Sequence, residues 1–397
     1  MESKIIKSLN KDTHELIKLL EKIPSNAPTT SKIYNDILFS LYNELTHAET
    51  IVKDHCSFKN NTLSFEDINY FPPDDMPAPI QDYVKQTCNK KLRYEKTLNS
   101  SNKISITFYF YDNQIGLNIL ETYIKRILLW FSFAIKYSTT KCSSNINISI
   151  YLTNFKKTLP QSSIEVIDRI HANTAYTYRC KANNNIVIYR QEEWFKVLIH
   201  ESMHYLGFDF NSINYDLYNL FPLEGKVQLD LGETYSETWA RILNAYLVSF
   251  ILASNYTQFK KMSTNFLSIE RKFSIYQCVK ILSFMGLEYT DLFNNSDPIC
   301  IMKRKIYKER TPIFCYYILT CILMNNPFNF IIWCKKNNNI NNIIKFSPIT
   351  NVKLFVEYIK VNSLSKFLLE TMKSLESLFK HKHGLYYSLR MSIIELD

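Results

Sequence analysis

The chain has 397 residues, of which 46% are hydrophobic and 21% charged, with a net charge of +10. That length allows two or three ordinary domains. Its nine Cys, an odd number with none in a C-x-x-C pair, argue against a disulfide scaffold and predict free thiols in a reducing, cytoplasmic setting.

Residues 1–71 read as a helical region, with helical periodicity over 3–23 and 29–52 and a break from Ser25 to Thr30. The start of the chain has no uninterrupted apolar stretch, so no secretory leader is expected. Phe71-Pro-Pro-Asp-Asp-Met-Pro-Ala-Pro79 is too rich in proline for a helix or a central strand, and residues 72–100 are read as a linker. Residues 103–111 and 146–152 alternate and are rich in β-branched and aromatic types, which predicts strands. A long apolar helix is expected between them, over 117–137. A short edge strand is expected within Asn173 to Tyr178, and another strand over 185–190. The resulting fold class is α+β, a small mixed sheet packed on helices. After residue 250 the pattern is helical, near 257–286, 312–324 and 351–380, with an Asn-rich loop over 337–342. Residues 312–324 are the most apolar stretch, but Asn325-Asn326-Pro327 ends it short of the ~20 residues a membrane span needs.

Residues 197–207 read Val-Leu-Ile-His-Glu-Ser-Met-His-Tyr-Leu-Gly. His200, Glu201 and His204 make an H-E-x-x-H motif. On a helix, residues four apart share a face, so both imidazoles can point at one metal ion. Glu201, beside the first His, is placed to act as a general base. The run from Trp194 to Leu206 is apolar on nearly every face except the motif, which predicts a buried helix, and Gly207 is suited to end it. Two His and a Glu are costly to bury unless something binds them. The bland alternative is a pair of core histidines, each satisfied by a neighbouring hydrogen bond.

A catalytic zinc takes three protein ligands and keeps one position open. The candidates for the third lie in Asp230-Leu-Gly-Glu-Thr-Tyr-Ser-Glu-Thr-Trp-Ala240. Gly232 looks like a helix start, and Trp239, Ala240, Leu243, Tyr246, Leu247 and Phe250 follow at helical spacing. Glu233 and Glu237 share a face of that helix. Either can bind a metal, and the other can hydrogen-bond a ligand His and fix its tautomer. A solvated acidic first turn is the competing reading.

His200-Glu-x-x-His204 followed by Glu233-x-x-x-Glu237 resembles the gluzincin branch of the zincin metallopeptidases. The resemblance implies one zinc ion held by His200, His204 and Glu233, with Glu201 as base and Glu237 orienting His200. It implies a zincin-like catalytic domain over 101–250, followed by a helical domain over 251–397, and a peptide or protein substrate. Cleavage within a chain is favoured, since no G-x-M-E-N signature precedes the motif. The edge strand before the motif helix would pair with the substrate. A later oxyanion donor is implied, for which Tyr387, Arg390 and His383 are the candidates, with His381 and Tyr386 nearby. For these the competing reading is a final helix with a snorkelling Arg. The chain departs from the pattern in having Glu rather than Asp at 237 and a 29-residue step from 204 to 233, read as a loop with Asn211, Asn214 and Pro222.

Two other functions fit the residues: an inactive zincin scaffold used for binding, and a basic nucleic-acid-associated protein. Charge alone permits the second, but the cations are spread along the chain, with small clusters over 303–310 and 380–382 and no aromatic-interleaved basic motif. The bias toward Asn, Ile, Lys, Tyr and Phe is that of an AT-rich genome, as in a large DNA virus or a parasite. For a viral protein the setting would be the host cytoplasm or the virion.

Overall fold

The structure is a computed structural model that describes residues 30–376 and 384–396 together with Ile17 and Leu20, with breaks at 56–63, 68–72, 100, 112–114, 182, 212–214, 224–226, 228 and 339–341. Most of the helix expected over 3–23 lies outside the described residues. The chain alternates between two compact units. One comprises Asp36–Lys156 and Thr174–Phe208, the other Met1–Asn35, Lys157–Asn173 and Asp209–Asp397.

The first unit is built on a six-stranded sheet. Its elements in chain order are α1 (Lys32–His55, which begins in the other unit), β1 (Ser64–Asp67), α2 (Ala78–Thr87), β2 (Lys90–Asn99), β3 (Asn102–Phe110), α3 (Leu117–Ala134), β4 (Asn145–Tyr151), β5 (Ala175–Tyr176), β6 (Ile186–Ile188) and α4 (Trp194–Tyr205). The strand order is β1-β2-β3-β4-β6-β5. β3, β4 and β6 run parallel, while β1, β2 and β5 pair antiparallel to their neighbours. The sheet is therefore mixed, and the class is α+β. The two parallel neighbours β3 and β4 need a crossover, which α3 supplies.

One face of the sheet is apolar. Ile104, Ile106 and Phe108 on β3 are in register with Ile146, Ile148 and Ile150 on β4, and all six are buried. Each contributes roughly 1.5–3 kcal/mol relative to exposure. The alternate residues Lys103, Ser105, Thr107 and Tyr109 are more exposed, as a period of two requires. α4 packs against β5, β6 and α3, and the Trp194 ring meets Tyr123 of α3 with centroids 4.4 Å apart.

The stretch 72–100 is not a linker. It holds α2 and β2. Pro77 and Pro79 sit at the start of α2, where a missing N–H removes no helical bond. Leu92, Tyr94 and Leu98 then alternate into the core. The sheet begins at β1, within the region expected to be helical, and residues 209–250 fall in the other unit.

The second unit is helical. It contains α5 (Leu231–Leu252), α6 (Tyr256–Phe284), α7 (Pro298–Lys305), α8 (Phe314–Met324), α9 (Pro327–Asn337), α10 (Pro348–Ser363) and α11 (Lys366–Glu376). α5 and α6 pack along each other, and α5 is buried on every face from Thr234 to Ser249. The first part of α8, Phe314–Leu319, is π-helical. The expected helix over 351–380 is two helices with a break after Ser363.

Among the described residues from 384 onward there is no final α-helix. A single turn, Gly384–Tyr387, leads into an extended buried segment. Side chains of the long helices hold its backbone. Tyr317 donates to the Leu389 carbonyl at 2.6 Å and Asn244 to the Ile394 carbonyl at 2.7 Å, while Glu270 accepts the N–H groups of Ile393 and Ile394, each at 2.9 Å. Among the described residues no single helix is long and apolar enough to cross a membrane. α8 and α9 pass by composition only as a pair, bent by 92°.

Candidate metal centre

Local signals position α4 closely. Gly207 has φ +68°, the left-handed conformation that a C′ glycine adopts without strain. Its N–H donates to the His204 carbonyl at 3.0 Å and the Phe208 N–H to the Met203 carbonyl at 2.8 Å, which together form a Schellman motif. At the other end Glu193 occupies the N-cap position in the left-handed region, with φ 58°, and makes no side-chain capping bond.

His200 and His204 lie one turn apart on α4, both buried. Their Nε2 atoms approach to 3.2 Å. The rings meet edge to face, with centroids 5.0 Å apart. Glu201 is also buried and lies between them in sequence.

The end of α4 is braced from outside the helix. Cys142 and Cys180 form a disulfide with Cα atoms 4.8 Å apart, a normal span for such a bond. This corrects the expectation that every Cys is free. A short turn, Thr140–Ser143, carries one sulfur to the loop that carries the other. The Cys180 N–H donates to the His204 carbonyl at 3.3 Å, and Ser138 Oγ donates to the Leu206 carbonyl at 2.9 Å. Tyr205 Oη donates to the Asn145 carbonyl at 2.5 Å. The other six described Cys are free thiols.

Glu233 sits in the first turn of α5. Asp230 caps this helix by accepting the Gly232 N–H at 2.8 Å, so the helix starts where Gly232 predicts. The 29-residue step is not all loop, since it includes the short helix Tyr215–Leu220.

Among the described residues, His200, His204 and Glu233 form a cluster that could hold a metal ion. Each offers one ligand atom, and these atoms lie within 4.8 Å of one another. The donor set fits zinc. Ligand nitrogens at a Zn–N distance of 2.0–2.1 Å stand about 3.3 Å apart at tetrahedral corners, and the two Nε2 atoms are at 3.2 Å. Two imidazoles and a carboxylate are also a ligand set found in catalytic zinc sites.

Glu237 is buried one turn after Glu233. Its Oε1 accepts from Arg241 Nε at 2.8 Å, an i,i+4 pair within α5. Arg241 also donates to Ser274 Oγ at 3.0 Å and to the Tyr316 carbonyl at 3.1 Å. Burial alone would lower the pKa of this guanidinium, but the charge and hydrogen bond of Glu237 outweigh it, and the net shift is upward. The i,i+4 spacing of Glu237 and Arg241 is visible in the sequence and marks a pair that sequence reasoning passed over. Cys315, on the π-helical part of α8, was likewise unexpected. Burial pushes the pKa of its thiol well up, so it stays neutral.

Of the expected oxyanion donors, Arg390 is buried and pairs with Glu395 at 2.7 Å. Tyr387 lines a surface recess with residues of the 160–166 stretch and of 283–286. Neither belongs to the His-His-Glu cluster. His381 and His383 lie outside the described residues. The chain matches no protein-family model, and no curated protein or solved structure is similar to it.

Proposed function

We propose that the protein is a zinc-dependent peptidase in which His200, His204 and Glu233 hold the metal and Glu201 is the general base. The 3.2 Å approach of the two buried Nε2 atoms on the H-E-x-x-H helix carries this reading. Zinc in such a site lowers the pKa of a water and polarises the scissile carbonyl. Glu201 takes the proton from the attacking water and later gives it to the leaving amine. Glu233, in the first turn of α5, completes the ligand set. Glu237, its charge balanced by Arg241, orients His200.

β5 is a terminal strand of the sheet, antiparallel to β6, which separates it in the chain from α4. An extended peptide adds there as a further strand, which suits cleavage within a chain. Arg390, already paired with Glu395, is a weak choice for the oxyanion donor.

Elemental analysis of the wild type, His200→Ala and Glu201→Gln tests the reading, together with cleavage of a peptide library with and without a chelator. The wild type should carry one zinc and cleave peptides. His200→Ala should lose both properties. Glu201→Gln should keep zinc and lose turnover by about 10²–10⁴-fold. Equal zinc in the wild type and His200→Ala would sink the proposal. Zinc binding without chelator-sensitive cleavage would leave an inactive scaffold.

A further inference from the structure

Within the helical unit, α7 is turned inside out. Its buried side chains are Cys300 and Arg304, while Ile299 and Met302 are 65% and 68% exposed. Ile306, just past its end, is 58% exposed. The spacing of 299, 302 and 306 puts these three on one stripe.

The inversion is built in by the polar side of the helix. Arg304 donates to the carbonyls of Asp291 and Asn294 at 2.6 and 2.7 Å and to Asn295 Oδ1 at 3.0 Å. Cys300 Sγ and Lys303 Nζ both bond the Asp291 carboxylate, at 3.1 and 2.8 Å. Asp297 caps the first turn by accepting the Ile299 N–H at 2.8 Å. Turning the apolar stripe inward would break all of these bonds. Ile299, Met302 and Ile306 are therefore displayed by a fixed helix.

The stripe continues beside a recess of about 570 Å³ lined by Ile306, Ile164, Tyr387, Phe284, Met285 and Lys308, among others. Ile164 on its rim is 91% exposed and Tyr387 is 43% exposed. Lys305, Lys308 and Arg310 are exposed around the same stripe. Arg310 leans on Asp168 at 3.7 Å, and the rim acid Glu165 is engaged with His171 at 3.4 Å. The surface is thus apolar at its centre and basic at its margin.

We propose that this face docks on an anionic lipid surface, with Ile299, Met302, Ile306 and Ile164 entering the headgroup boundary and Lys305 and Lys308 meeting the lipid phosphates. Side chains more than half exposed project outward, as insertion requires, whereas a peptide site would recess them in a groove. The flanking cations and the net charge of +10 complement acidic headgroups. Tyr387 suits the interface, with an apolar ring and a polar tip.

The test is co-sedimentation of the full chain with phosphatidylcholine vesicles, with and without phosphatidylserine, at low and high salt. The wild type should sediment only with the phosphatidylserine vesicles, and less so at high salt. The triple variant Ile299→Ser, Met302→Ser, Ile306→Ser should bind at least about tenfold more weakly with an unchanged melting curve, since the three side chains are exposed. Lys308→Gln should weaken binding roughly fivefold. The proposal is overturned if the wild type fails to bind phosphatidylserine vesicles or if the triple variant binds them equally well. It is also overturned if the triple variant abolishes self-association of a chain that ignores vesicles, which would place a second copy on this face. Zinc content plays no part in these readouts.

Discussion

His204 and Cys180 share a main-chain hydrogen bond, with the Cys180 N–H donating to the His204 carbonyl over 3.3 Å. The carbonyls at a helix end lack intrahelical partners, and here a residue held by a disulfide joins the Gly207 N–H in satisfying one of them. The motif helix is therefore fastened at the turn that carries its second imidazole, and the fastening depends on Cys142 and Cys180.

Replacing both cysteines with serine should lower unfolding stability by about 2–4 kcal/mol, given the 38-residue separation the bond closes. Denaturant midpoints of the wild type and the double variant measure this, with the six other described thiols left intact. Mass spectrometry of an unreduced digest should find the Cys142 and Cys180 peptides joined. Free thiols at both positions in protein isolated without reductant would remove the brace from the account.

Gly207→Ala isolates the helix end itself. An added Cβ would find its nearest atoms at 3.5 and 3.6 Å, in ordinary contact with Cys142 and Cys180, so sterics add little. The cost lies in holding a non-glycine residue at φ +68°, roughly 1–2 kcal/mol. Urea unfolding should show that loss. An unchanged midpoint would mean that the Schellman turn is not essential to α4.

Much of the centre was legible in the sequence because its signals are local. The i,i+4 pair of His200 and His204, the stop at Gly207 and the start at Gly232 each depend on neighbours within a few residues. The edge strand at Ala175 and Tyr176 was expected, although chain order alone does not show that β6 inserts between it and β4. The disulfide could not be read, because nothing near Cys142 announces that the fold brings the 140–143 turn to the 178–181 loop. The prolines at 77 and 79 misled for a different reason. A run rich in Pro reads as a breaker, yet the first turn of a helix tolerates it. α7 could not be read either, because its orientation is decided by carbonyl groups at Asp291 and Asn294 that only the folded loop presents to Arg304.

Glu233 and Glu237 are separable by substitution. Glu233→Ala should cost the protein its zinc, measured as metal content after dialysis. Glu237→Ala should keep zinc but hold it about 10–100-fold more weakly, as expected when a group supporting a ligand is lost. The reverse pattern would exchange their roles.

The Glu237–Arg241 pair makes a sharper demand on stability. Both side chains are at most 1% exposed. Arg241→Met should cost about 3–5 kcal/mol by leaving the Glu237 charge buried without its cation. Adding Glu237→Gln to that variant should recover part of the loss, since the stranded charge goes with it. A double variant no more stable than Arg241→Met would assign the cost instead to the bonds Arg241 makes with Ser274 and Tyr316.

Lys280 gives the fold a pH dependence of defined sign. It is fully buried in α6, where it donates to the Ser388 carbonyl and lies over the Tyr276 ring at 5.5 Å. Burial lowers its pKa from 10.5 to about 7. Between those values the unfolded chain holds a proton there that the folded chain has released. Stability therefore rises as pH climbs from about 7 toward 10, by up to about 1.4 kcal/mol per pH unit. Below pH 7 both states are protonated, and the cost of burying the charge is felt in full. Lys280→Met should flatten this rise and stabilise the protein most at neutral pH, despite losing the bond to Ser388. Urea unfolding at a series of pH values in both proteins measures the difference, with the other titrating groups common to both. Parallel curves would show that Lys280 stays charged in the folded state, stabilised by the Ser388 carbonyl and the Tyr276 ring.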